Sequence, residues 1–196
     1  MKKLKKNAKI CLKGNYLKFF LISIITFISV INIKPVFTND LYRVTFHISY
    51  GMLLLNLFIL PPFAAGVKKV YLTGEFKCLF NFLNKQNIVK SITVNLIRMF
   101  IIFTLSIIFI LPGIYAAIKL IFVPYVFADN TDTDVKSIFV KSVKLTKGNN
   151  IKIIKFLLSF AGWYLLGILT LGTGILFVNP YFEMTLKELY MEVKNV

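Results

Sequence analysis

Acid, imidazole and thiol are what this chain has least of. Eight Asp plus Glu face 24 Lys plus Arg, with one histidine and two cysteines among 196 residues. A lone histidine, His47, cannot build a histidine cage for a metal, and no HExxH, GxSxG or Walker A pattern is present. Cys11 and Cys78 have no metal-ligand partner at short spacing, so no zinc site is expected. Asp129, Asp132 and Asp134 alternate like the start of a calcium loop, but the Gly and terminal Glu of such a loop are missing. Helix capping is the better account of them. No catalytic, cofactor-binding or metal-binding residue is therefore expected, and the chain does not read as an enzyme. The net charge of +16 would suggest nucleic acid in a soluble protein. Here the cations lie between apolar runs with no recognition motif, which excludes nucleic acid and points to anionic lipid headgroups.

Apolar residues fill the space these absences leave. The hydrophobic fraction is 57% and the mean hydropathy +0.75, against about 45–50% apolar in a soluble domain. A water-soluble fold this small could not hide so much apolar surface. The pattern predicts a single all-α integral membrane domain over 1–196. Its six spans lie at about 16–36, 44–66, 91–111, 113–128, 152–170 and 172–190. The opening lysines and the run from Phe19 look like a signal peptide, but no small-x-small cleavage site follows, so an uncleaved first span is expected. Pro61-Pro62 should kink or thin the inner end of the second span. Ser91 to Ala128 would be about 57 Å as one helix, roughly twice the hydrocarbon core, so it must fold back, with Leu111-Pro112-Gly113 as the turn. The last long run repeats this, with an apex at Leu171-Gly172-Thr173-Gly174. Three hairpins result. Seven lysines in 1–18, five in 67–91, six in 129–155 and two after Glu183 put 20 of the 24 cations on one side. By the positive-inside rule that side is cytoplasmic, with both termini there and the chain in the cell (plasma) membrane.

A repeat marks the cytoplasmic side. K-x-N-x-x-K occurs at Lys13–Lys18, Lys85–Lys90 and Lys147–Lys152, each time before an outward-going span. A short basic stretch that can form an amphipathic helix precedes each copy. Phe76, Leu79, Phe80 and Leu83 share one helical face. In the third stretch Asp132 or Thr133 would cap a helix ending at Gly148. There Ile138, Phe139 and Val143 would dip into lipid while Lys136, Lys141, Lys144 and Lys147 face headgroups.

The order of Leu111-Pro112-Gly113-Ile114, Tyr125, Asp129, Lys147-Gly148-Asn149, Phe160-Ala161-Gly162-Trp163 and Pro180-Tyr181 resembles an uncharacterised bacterial membrane family, domain of unknown function 975. The likeness runs from about 66 to 192, with Gly14-Asn15 fitting the usual opening. It implies a multi-pass membrane protein and carries over no catalytic residue. A remoter similarity, to the membrane domain attached to some glycerophosphodiester phosphodiesterases, also implies a non-catalytic module.

Three ionisable residues fall inside the spans. Arg98, Lys119 and Glu183 lie roughly 12, 14 and 10 Å from the cytoplasmic end by helix rise. An isolated charge at such depth costs at least about 2.5 kcal/mol, so Glu183 is expected to contact Arg98, Lys119 or both. That cluster reads as a packing clamp or as an ion, proton or lipid site. The leading expectation is a non-enzymatic membrane-organising or lipid-interacting module whose partner is the bilayer. It names no protein partner and is compatible with a homo-oligomer. The alternatives are a small transporter or channel, and a self-protection protein against membrane-active peptides.

Overall fold

The computed structural model describes residues 1–30, 33–37, 44–48, 60–170 and 172–195. The described chain is helical apart from one small β-hairpin. It opens with α1 (Lys2–Leu12), whose Leu4, Ala8 and Leu12 recur at i, i+4 and i+8 and turn inward. Then come α2 (Tyr16–Val30) and two antiparallel strands, β1 (Ile33–Phe37) and β2 (Val44–Ile48), registered Ile33 to Ile48 and Phe37 to Val44. These strands correct the reading of 16–36 and 44–66 as continuous helices. Val36, Phe37, Val44, Thr45, Phe46 and Ile48 are branched or aromatic and favour extended backbone. Pro35 adds a break against helix. The middle of the second expected span, 49–59, lies outside the described residues, as does the backbone N-terminal to Pro61-Pro62 where a kink was expected.

The chain continues with α3 (Leu60–Thr73), which has Pro61 and Pro62 in its first turn, where a missing amide hydrogen leaves no bond unmade. A 3-10 helix (Phe76–Leu83) follows where an α-helical face was expected. Gly66 of α3 presses on it: a Cβ there would stand 2.4 Å from the Leu79 carbonyl oxygen.

After it, α4 (Lys85–Ile108) and α5 (Ile110–Lys119) are joined by the single extended residue Phe109 and pack on each other. The 38-residue apolar stretch is thus broken, but at Phe109 and not at Pro112-Gly113. Pro112 sits in the first turn of α5. Gly113 faces Ser106 so closely that a Cβ would lie 2.0 Å from the serine Oγ and 2.8 Å from its Cα. The Phe109 amide donates to the Leu105 carbonyl at 3.2 Å, and the Phe109 carbonyl accepts from Gly113 at 3.4 Å.

The span expected at 113–128 is itself broken into α5 and α6 (Val123–Asp129). Pro124 has no amide to offer the Leu120 carbonyl, which instead accepts from Val123 in a tighter turn. Next come α7 (Val135–Thr146), α8 (Asn150–Leu169) and α9 (Thr173–Lys194), with α8 packed on α9. The cap of α7 is Asp134, whose carboxylate accepts from the Lys136 amide at 3.1 Å, one to two residues beyond the caps expected at Asp132 or Thr133.

Three helical stretches are long and apolar enough to cross a membrane: Lys85–Ile108, Ile110–Asp129 and Asn150–Leu169. In the first only 11% of the apolar window is buried inside the protein, and in the third 22%. Phe100, Phe103, Ile107, Leu158, Leu165 and Leu169 all stand exposed. The larger core cluster gathers side chains from α1 and from α3 to α9, and a smaller one joins α1, α2, α3, Cys78 and Met184.

Two of the three sequence repeats share one backbone geometry. Lys13 ends α1 at φ −61°, ψ 122°, and Lys147 ends α7 at φ −64°, ψ 125°. Gly14 and Gly148 follow at φ +88° and +83°, in open space, so the left-handed backbone and not crowding explains glycine at both. Buried Leu4, Ala8 and Leu12 correspond in register to buried Ile138, Ser142 and Thr146. Buried Phe19 and Ile22 correspond likewise to Ile153 and Phe156. The middle copy differs. Gln86 stands in the glycine position and Lys85 already begins α4.

Candidate functional site

Lys68, Arg98 and Glu183 converge on one cavity of about 460 Å³, lined by residues of α3, α4, α5, α6, α8 and α9. Helical periodicity explains how Glu183 reaches it. On α9 the buried Leu186, Tyr190 and Val193 form an inward stripe, and Glu183 stands one turn before Leu186 on that stripe. Lys68 comes from α3, flanked on the same face by buried Ala65 and by Leu72. Its Nζ lies 2.5 Å from Glu183 Oε2, with both side chains 16% exposed. Fully buried Tyr125 of α6 donates its hydroxyl to Glu183 Oε2 at 2.7 Å, with the Glu183 carbonyl at 3.0 Å. The Lys68 ammonium also sits 5.2 Å from the centre of the Tyr125 ring.

Of the three residues singled out from the sequence, Arg98 and Glu183 line this cavity and Lys119 does not. Glu183 pairs with Lys68, not with Arg98 or Lys119. Arg98 Nε is buried, and no acceptor lies in reach of it among the described residues. Lys119, 9% exposed, donates to Asn150 Oδ1 at 3.1 Å and lies 5.3 Å from the Tyr115 ring centre. Lys68 and Tyr125 were missed as site residues. Lys68 looked like one more loop cation, yet its spacing of three from Ala65 and four from Leu72 is the signal that places it inward.

A second polar cluster forms where α6 ends. The Asp129 carboxylate accepts from the Tyr190 hydroxyl at 3.1 Å and pairs with Lys194, while the Asp129 carbonyl accepts from Lys69 at 3.1 Å. An acid at a helix C-terminus opposes the helix dipole, and the two lysines offset it. Lys90 of α4 donates nearby to the Thr131 carbonyl.

Lys136, Lys141 and Lys144 on α7 and Lys147 at its C-terminal cap are all exposed. Ile138 does not dip outward as expected. It is fully buried in the core with Ser142 and Thr146, Phe139 packs partly against that core, and Val143 alone of the three is exposed, at 42%. The inward stripe at i, i+4 and i+8 takes Ile138 to the protein side. The Ser142 hydroxyl donates at 2.9 Å to the Lys119 carbonyl, where α5 ends.

Cys78 is buried and Cys11 exposed, both as free thiols. His47 falls on β2 opposite Lys34, not on a helix. Among the described residues no three His, Cys, Asp or Glu side chains gather as a metal site.

A helical bundle with three membrane-length apolar stretches, two of them largely uncovered, defines the class of protein. Residues 75–196 match the family model described as protein of unknown function (DUF975), and the chain belongs to that family. No curated protein and no solved structure matches it.

Proposed function

We propose that this is a non-enzymatic integral membrane protein acting as a membrane-organising, lipid-interacting module. It crosses the bilayer six times in three hairpins, with both termini in the cytoplasm. The basic helices α1 and α7 lie along the anionic inner leaflet. The observation that carries this reading is the uncovered apolar surface of α4 and α8 beside a lysine-rich end. Water would penalise exposed Phe100, Phe103, Leu165 and Leu169, whereas hydrocarbon accepts them. At about 1.5 Å per residue, the 24 residues of α4 reach about 36 Å, enough for a core of about 30 Å. The exposed lysines of α7 and its cap, Lys136, Lys141, Lys144 and Lys147, each contribute about 1 kcal/mol of attraction at an anionic surface.

The test has two parts. Reporters fused after Val196 and before Met1 should both report cytoplasm, and one inserted at Asn39 the opposite side. An external Val196 reporter would end the six-span scheme. In nanodiscs, α7 amides should exchange more slowly with phosphatidylglycerol present than with phosphatidylcholine alone. Changing Lys136, Lys141, Lys144 and Lys147 to Glu should erase that difference without altering insertion. A small transporter is the second reading, and the cavity at Arg98 and Glu183 favours it. It requires that the cavity open alternately to the two sides, read as cysteine accessibility at Ala117 from each face.

A further inference from the structure

We propose that the cavity at Arg98 binds an amphiphilic anion, a carboxylate or phosphate on an alkyl chain that enters from the surrounding lipid; this rests on the membrane-embedded reading above. The charges facing the cavity are Lys68, Arg98 and Glu183, with Tyr125 neutral beside them. Glu183 is committed to Lys68 at 2.5 Å and to the Tyr125 hydroxyl at 2.7 Å. Arg98 shares the field of Glu183 but makes no ion pair with it, and its Nε is buried without an acceptor among the described residues. Guanidinium does not shed its proton, so the site holds one positive charge more than its acid neutralises. A surplus cation in a low-dielectric setting is costly and favours a bound counter-anion.

The rest of the lining says what kind of anion would suit. Ile114, Ile118, Ile121, Leu157 and Phe182 are apolar, a surface matched to an alkyl chain. Ile114 is 53% exposed, so the cavity meets the outer apolar surface. Its volume of about 460 Å³ lies within the roughly 300–1,000 Å³ of small-ligand pockets. An arginine fork matches the two oxygens of a carboxylate or phosphate. An inorganic anion would answer the charge but leave the apolar walls idle.

The probe is radiolabelled palmitate, titrated onto the full-length detergent-solubilised protein, with methyl palmitate as the uncharged control. Palmitate should bind saturably and the ester at least about tenfold more weakly, equivalent to losing one charge-assisted hydrogen bond. Arg98→Gln should weaken palmitate by at least about tenfold, Arg98→Lys should restore part of it, and Lys119→Gln should leave it unchanged. Displacement by dioleoylphosphatidylglycerol would identify a membrane phospholipid as the source, and displacement by fatty acid alone a free carboxylate. Either supports the site. Equal binding of acid and ester, full displacement by chloride, or unaltered binding by Arg98→Gln would overturn it. Should Arg98→Gln fail to fold, the acid-against-ester comparison on the unaltered chain still decides. Absent palmitate binding by a protein whose two ends report cytoplasm removes this site alone, whereas loss of membrane insertion removes the proposed function as well.

Discussion

The α1–α2 and α7–α8 units repeat one backbone with different chemistry on the inside. Both turn at a Lys-Gly-Asn triplet with glycine near +85°, and both bury three positions spaced by four. Yet α1 buries Leu4, Ala8 and Leu12 against its surroundings, largely on α9, while α7 buries Ile138 with two hydroxyls. The break at Pro124 accounts for the contrast. It ends α5 at Lys119, whose carbonyl is then free to accept from Ser142. The α1 stripe has no side chain able to make that bond. Backbone shape thus repeats through glycine, and the inner surface adapts to whichever neighbour it meets.

Substitutions can break this comparison, starting with the stripe. Ile138→Ala should cost about 2–5 kcal/mol, as full burial of a large side chain implies. Leu4→Ala, at a position 6% exposed, should lie toward the lower end of that range; the two are read by denaturant titration in mixed micelles. If Leu4→Ala proved the more damaging, the two stripes would not be equivalent. Gly14→Ala and Gly148→Ala should each cost about 1–2 kcal/mol, and by matching amounts, because both force an L-residue into left-handed backbone with free space around it. Ser142→Ala should cost about 1 kcal/mol through the orphaned Lys119 carbonyl, measured the same way. The smallest effect belongs to the middle copy. Gln86→Gly should cost at most about 1 kcal/mol, since that position is helical and glycine only loosens it. A gain in stability there would mean that the middle copy also turns left-handed.

How much of this was legible in the sequence depended on what kind of signal each feature left. Run length alone implied that the 38-residue stretch is not one helix, because its full extent would be about twice a hydrocarbon core. The reversal point went to Pro112-Gly113 in the reading, since those residues favour turns in isolation. The structure uses them one step later, proline in a first helical turn and glycine at a close approach to Ser106. The break before Pro124 was missed because the apolar run continues across it unchanged. Glu183 was recognised as needing a partner, but choosing Lys68 over Arg98 requires the rotational phase of three helices about one another. Composition holds no record of that phase. The K-x-N-x-x-K repeat was legible as spacing, but that pattern leaves its second position open, so the helical Gln86 of the middle copy was not told apart from Gly14 and Gly148.

The junction at Phe109 has a consequence for how the chain reaches its place. Phe109, Ile110 and Leu111 are 70–78% exposed, no ionisable group other than a tyrosine lies between Arg98 and Lys119, and both polar groups of the junction's own peptide backbone are already bonded. Hauling water-loving cargo through hydrocarbon is what makes threading a hairpin slow. This tip carries almost none, so in the membrane-embedded reading proposed above α4 and α5 would slip in together as a preassembled wedge.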